Sequence, residues 1–123
     1  MSSKKIDNFR KALKSLKTAV TTPIQDNRDM AGIIQNFEFT YETCWNALKL
    51  YLEDQGVVTT TARDVFSKAY QLKLIQNDQY WLEMIKDRNL TVHAYNEEFA
   101  KEICSKIQKM YLPCFEEVGK LLP

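Results

Sequence analysis

One histidine, three glycines and three prolines are all that this 123-residue chain holds of those types, and each scarcity removes a class of protein. So few turn formers, with β-branched alternation nearly absent, leave little from which to build half-buried strands and hairpins, and the chain reads as all-α. Cys44, Cys104 and Cys114 are odd in number and lack any C-x-x-C spacing. With a single His beside them, no tetrahedral zinc site is expected, and no metal or cofactor is called for. In a reducing compartment the three thiols act as small buried apolar groups. No window approaches the ~18 uncharged apolar residues of a membrane span. The start, Met1-Ser2-Ser3-Lys4-Lys5, leads into an amphipathic pattern rather than an apolar signal core, so the expected location is cytoplasmic, with no membrane partner. Net charge is +1, from 17 basic and 16 acidic residues. Bulk electrostatics therefore gives no reason to bind nucleic acid, and any RNA or nucleotide contact has to be local.

What is present is enough apolar material for one core. Hydrophobic residues make up 45% of the chain, and its length is that of one domain, residues 1–123, without repeat, linker or low-complexity tract. Ile6, Phe9, Leu13, Leu16 and Val20 recur at three- and four-residue steps and predict a first helix ending near Thr21-Thr22-Pro23. A loop from Gln25 to Asp29 follows, with Asn27 or Asp29 as helix cap. The longest stripe runs through Met30, Ile33, Ile34, Phe37, Tyr41, Cys44, Trp45, Leu48 and Leu52 and stops near Gly56. Thr61 and Asp64 resemble a capping box ahead of a third helix carrying Val65, Phe66, Ala69, Leu72 and Ile75. Asn77-Asp78 opens a fourth helix with Tyr80, Trp81, Met84 and Ile85. Asn96-Glu97-Glu98 opens the last, through Phe99, Ile103, Ile107, Met110 and Tyr111, with acids suited to its dipole and a kink expected at Pro113. The prediction is an antiparallel, up-and-down bundle of four to five helices.

The lone histidine sits in Arg88-Asn89-Leu90-Thr91-Val92-His93-Ala94-Tyr95. On an unbroken helix Arg88 and Tyr95 would lie about 20° apart, Asn89 and His93 about 40° apart, and Arg88 and His93 about 140° apart. Either the chain bends near Leu90 to Val92, with Thr91 as a cap, or the polar cluster spreads over a broad face. A guanidinium matches phosphate oxygens and keeps its charge at physiological pH. An imidazole takes a proton from a 2′-hydroxyl or gives one to a leaving oxygen. RNA cleavage by internal transesterification needs both proton transfers, and one His supplies one at a time, so this chemistry calls for a second copy at a symmetric interface. The plainer reading is a structural turn, with Arg88 paired to Asp87 or Glu97, His93 capping and Tyr95 half-buried.

Several separated segments raise the run above that reading. Phe39-Thr40-Tyr41-Glu42-x-x-Trp45, Leu52-Glu53-x-x-Gly56, Ala62-Arg63-Asp64-Val65 and Trp81-x-x-Met84-Ile85 occur in order, followed by Arg88-Asn89-x-x-x-His93-x-Tyr95-Asn96. Over roughly residues 5 to 120 the chain resembles the small helical subunit of two-component minimal nucleotidyltransferase (MNT) systems. These are the nucleotidyltransferase substrate-binding proteins, which belong with the HEPN (higher eukaryotes and prokaryotes nucleotide-binding) domains. The resemblance implies a helical bundle that forms a homodimer and associates with an MNT protein encoded by the adjacent gene. It implies a toxin–antitoxin pair in which this chain is a metal-independent endoribonuclease, with Arg88, Asn89 and His93 as catalytic residues. It also implies that the partner adenylylates Tyr95 and silences the toxin. Tyr41, Glu42 and Trp45 are candidate cleft residues, although Trp45 also fits the core and Glu42 a solvated or Arg-paired acid. Trp81, Met84 and Ile85 are candidates for a dimer interface, and Lys4, Lys5, Lys11, Lys14 and Lys17 form a solvated helix face. Two further readings stay open: a non-catalytic subunit that binds a substrate or nucleotide for its partner, and a helical dimer without a site. The chain lacks a Gly-Ser dipeptide followed by paired aspartates, so it is not itself a nucleotidyltransferase.

Overall fold

Ser3 starts the first helix: its hydroxyl accepts from the Lys5 amide at 3.2 Å, and α1 runs Lys4–Thr21 until the extended Thr22 before Pro23 ends it. The computed structural model describes residues 3–123. It contains α2 (Asn27–Asp54), α3 (Ala62–Gln71), α4 (Asp78–Leu90), a 3₁₀ turn (Thr91–His93), α5 (Glu97–Lys106), a π-turn (Ile107–Tyr111) and α6 (Leu112–Leu121). The cap of α2 is Asp26 rather than Asn27 or Asp29. Its carboxylate accepts from the Arg28 and Asp29 amides while Asp29 accepts back from the Asp26 amide, the reciprocal pairing that a three-residue offset allows. At Thr61 the box is shifted by one. Thr61 accepts from the Asp64 amide, but the Asp64 carboxylate accepts from the Thr60 amide.

Two helices end in the same way. Gly56 (φ 83°) closes α2, with the Val57 amide reaching Leu52 O and the Gly56 amide reaching Glu53 O. Lys73 (φ 62°) closes α3 with the equivalent pair, Leu74 to Ala69 O and Lys73 to Tyr70 O. The second closure corrects the expectation that one helical stripe runs to Ile75. The reversal at Lys73 leaves Leu72 exposed and drops Ile75 into the core from a loop. Asn77 does precede α4, but its left-handed backbone (φ 57°) leaves it without a side-chain cap bond. Asn96 caps α5 through the Phe99 amide at 3.0 Å. The break expected at Pro113 falls just upstream, as the π-turn. The proline ring crowds the carbonyl four residues back, and the wider turn there accommodates it.

Cross-helix contacts give the directions. Thr40 donates to the Ala12 carbonyl, pairing α1 with α2. Arg10 donates to the Gly119 and Leu122 carbonyls while Lys17 pairs with Glu116, so α1 and α6 are antiparallel. Trp81 meets Phe115 and Asp87 meets Tyr111, so α4 is antiparallel to the α5–α6 rod. The α2 helix runs parallel to that rod on the diagonal, with Met30 near Cys104 and Phe37 stacked on Tyr111. This is the expected up-and-down bundle, with α3 inserted between α2 and α4. Phe37, Tyr41, Phe66, Trp81, Tyr111 and Phe115 form a continuous aromatic chain through the centre, with ring centroids 4.5–6.3 Å apart. Trp81, Met84 and Ile85 are buried in that core, which rules them out as an interface of the folded chain. The five N-terminal lysines are all exposed, as expected.

The three thiols are free and buried. Burial lifts Cys104 to about 11 and Cys114 to about 12, and raises Cys44 well above its ordinary value. Burial, reinforced by the Glu42 carboxylate, lifts Tyr41 to about 12. Each group holds its proton more tightly in the folded chain than in the unfolded one. Their contribution to stability is therefore complete below pH ~9 and is lost as pH rises through 11–12. Tyr41 alone accounts for about 2–3 kcal/mol. Urea midpoints should hold level near pH 8 and fall steeply above pH ~10, and less steeply in Tyr41→Phe. A midpoint at pH 11 equal to that at pH 8 contradicts the burial of these groups.

Candidate functional site

Arg88 leaves the last turn of α4 toward α2, and its side chain is only 27% exposed. Nη1 lies 2.9 Å from Glu38 Oε2 and donates to Thr91 Oγ1 at 3.1 Å. The Thr91 hydroxyl is in turn 2.7 Å from the Arg88 carbonyl and 2.9 Å from Glu38 Oε2. Arg88 Nε is buried without a hydrogen-bond partner, with Glu42 Oε1 at 4.0 Å, beyond hydrogen-bonding range. Glu42 itself accepts from Trp45 Nε1 at 3.0 Å. Thus Arg88 is ion-paired, but to Glu38 and more distantly Glu42 on α2, not to Asp87 or Glu97.

Beyond Thr91 the helix tightens into the 3₁₀ turn and then reverses through Ala94 and Tyr95. The bend expected between Leu90 and Val92 is therefore present, and the Arg88/Tyr95 strip of an unbroken helix does not form. Tyr95 meets His93 instead: its hydroxyl lies 3.4 Å from Nδ1, the outer limit of a hydrogen bond, with the rings edge-on at 5.9 Å. His93 is exposed, and Tyr95 is 84% exposed rather than half-buried. Asn89 is exposed too, with no side-chain hydrogen bond among the described residues. Tyr41 is buried between Phe37 and Phe66, so its ring belongs to the core and not to a cleft. Trp45 is half-buried and Glu42 exposed beside Arg88.

Two features went unread in the sequence. Glu38, one helical turn before Glu42, is the main carboxylate on Arg88. Asp87, adjacent to Arg88, turns the other way into the protein, where it is 4% exposed. It accepts from the Tyr111 hydroxyl in a short hydrogen bond and from Lys106 Nζ at 3.3 Å, and Lys106 also reaches Glu83 at 3.0 Å. Burial, then the bond to Asp87, raises the Tyr111 hydroxyl far above its ordinary value. The signal for Asp87 was its place six residues after Trp81 and three after Met84, a carboxylate standing in an apolar stripe. A cavity of about 520 Å³ opens beside the motif between the first half of α2 and the start of α5, with Ala31, Ile34, Gln35, Glu38, Thr91 and Tyr95 in its wall. Among the described residues, no cluster of three or more His, Cys, Asp or Glu is arranged to hold a metal ion, and no helix is long and apolar enough to cross a membrane.

Comparison with known proteins gives this arrangement a setting. Residues 4–122 match the family described as nucleotidyltransferase substrate binding protein like. A curated relative, the "Probable ribonuclease HepT" of Haemophilus influenzae, is 30% identical over 83 residues, which are 63% of this chain. The chain thus spans 57% of the length of the curated relative it matches. A solved Haemophilus influenzae structure, described as revealing the fold of a substrate binding domain of a nucleotidyltransferase, is 25% identical with a TM-score of 0.82, covering 94% of this chain and 98% of that one. An AMPylated Shewanella oneidensis HEPN toxin, solved in complex with its MNT antitoxin, is 22% identical with a TM-score of 0.73, covering 95% of this chain and 92% of that one. At that identity the likeness to the toxin is one of fold.

Proposed function

The chain belongs to the nucleotidyltransferase substrate binding protein-like family, and from that membership we propose that it is the toxin of a HEPN/MNT toxin–antitoxin pair. In this reading it is a cytoplasmic, single-domain homodimer that cuts RNA without a metal ion, held in check by the nucleotidyltransferase encoded next to it. A neutral His93 takes the proton of a ribose 2′-hydroxyl as that oxygen attacks phosphorus. The imidazolium of the second copy protonates the departing 5′-oxygen, leaving a 2′,3′-cyclic phosphate and a 5′-hydroxyl. Arg88 carries the charge of the phosphorane, and exposed Asn89 orients the strand.

The observation that carries the proposal is the contact of Tyr95 with His93. An 84% exposed phenol, open to a modifying enzyme, stands 3.4 Å from the one side chain able to move protons near neutrality. Transfer of AMP from ATP to Tyr95 Oη releases pyrophosphate and the phenol proton, and leaves a phosphodiester anion against the imidazole. The switch thus acts on His93 directly rather than by capturing Arg88. Co-expression with the neighbouring nucleotidyltransferase should add adenylyl groups, read by intact mass, that are reduced in number or absent in Tyr95→Phe. Adducts undiminished in that variant exclude Tyr95 as the switch. The alternative, a non-catalytic substrate- or nucleotide-binding subunit, is favoured by the engagement of Arg88 Nη1 with Glu38, a carboxylate that competes with phosphate for the guanidinium. It predicts no cleavage by the unmodified chain.

A further inference from the structure

We propose that the 520 Å³ cavity beside the motif is a nucleobase subsite, which takes the base of the nucleotide whose phosphate sits at Arg88. The position of that phosphate rests on the function proposed above; the chemistry of the cavity does not. Its volume is in the range of a site for one small ligand. No lysine or arginine lines it, and Glu38 and Glu97 do, so it repels a phosphate and suits an uncharged group. Ala31, Ile34 and Ala100 give it an apolar floor. At its mouth stands Tyr95, 84% exposed, whose one ring contact among the described residues is edge-on with His93, which leaves its face open as a stacking surface.

The cavity and the cation share one wall. Glu38 binds Arg88 and Thr91 through Oε2, and no hydrogen bond to Oε1 occurs among the described residues. A phosphate beside Arg88 therefore has its own base within reach of the cavity. The polar groups lining it are the Glu38 and Glu97 carboxylates, which only accept, and the Asn27 and Gln35 carboxamides with the Thr91 and Tyr95 hydroxyls, which serve donors and acceptors alike. A carboxylate accepts from an exocyclic amine or a ring N–H and is repelled by a carbonyl. Adenine, cytosine and guanine present amines; uracil presents two carbonyls and one N–H. The subsite thus favours amino-bearing bases over uracil.

The test uses the full-length His93→Ala chain, so that binding is read apart from cleavage. AMP, CMP, UMP and ribose 5-phosphate are titrated while backbone amide resonances are followed. AMP and CMP should shift Ala31, Gln35 and Ala94, UMP should bind at least several-fold more weakly, and ribose 5-phosphate should leave those three unmoved. Ala31→Leu, an exposed helical position lining the cavity, should weaken AMP roughly tenfold while the unfolding midpoint holds. The subsite is overturned if ribose 5-phosphate reproduces the AMP shifts, if UMP binds as well as AMP, or if Ala31→Leu changes nothing. A chain that cleaves RNA but shows no base in the cavity refutes the subsite alone. AMP in the cavity of a chain that never cleaves RNA refutes the ribonuclease and leaves the subsite standing.

Discussion

His93→Ala should cut RNA about 100- to 10,000-fold more slowly than the parent, the usual range for removing a general acid–base, and should unfold at the same temperature. Both halves follow from the position of the residue. His93 is the only histidine, so no neighbour can take over its proton transfers near neutrality. It is exposed, and its one side-chain hydrogen bond among the described residues is to the exposed Tyr95, so its loss should change stability by no more than about 0.5 kcal/mol. Arg88→Ala cannot give so clean a result. It removes the ion pair with Glu38 and the bond to Thr91, and lowers stability along with activity. A His93→Ala chain that cleaves as fast as the parent removes His93 from the reaction.

Asp87→Ala is the second large effect, and it should appear in stability. Removing one member of a buried charged pair costs about 3–5 kcal/mol, because the partners left behind are uncompensated. Tyr111 is fully buried, and Asp87 is the acceptor its hydroxyl uses. Lys106 is 25% exposed and keeps Glu83 at 3.0 Å, so it loses less, and the expected value lies toward the lower end of that range. Tyr111→Phe removes one hydroxyl and leaves Asp87 with Lys106, and should cost about 1 kcal/mol. Urea unfolding at neutral pH, read as a midpoint shift at constant slope, should therefore order the chains as parent, Tyr111→Phe, Asp87→Ala. Equal midpoints for parent and Asp87→Ala contradict the network. Asp87 ties α4 to the α5–π-turn–α6 rod one residue before Arg88, so the same variant should misplace the guanidinium and slow cleavage even where it remains folded.

The bundle was legible because its stripes are long. Nine apolar positions on α2 and five on α1 leave one way to bury both, and Pro23 and Gly56 mark their ends. Periodicity failed where the backbone leaves the helix without announcing it. Lys73 adopts the left-handed turn that glycine usually takes, so the stripe through Leu72 and Ile75 looked continuous across a helix end. The bend of the motif was read from Thr91. The motif's partners were not, since wheel geometry relates residues within one helix, whereas Glu38 reaches Arg88 from α2 and Tyr111 reaches Asp87 from the π-turn. The same limit applied to Tyr41 and Trp45, adjacent on paper to Glu42, one facing the core and the other half-exposed.

The most direct test of the ribonuclease reading is the product chemistry of the unmodified chain. Purified away from its nucleotidyltransferase and kept in excess chelator, it should cut single-stranded RNA and leave 2′,3′-cyclic phosphate and 5′-hydroxyl ends. No cleavage under these conditions, or cleavage that returns only with added divalent metal or leaves 5′-phosphate ends, would contradict it.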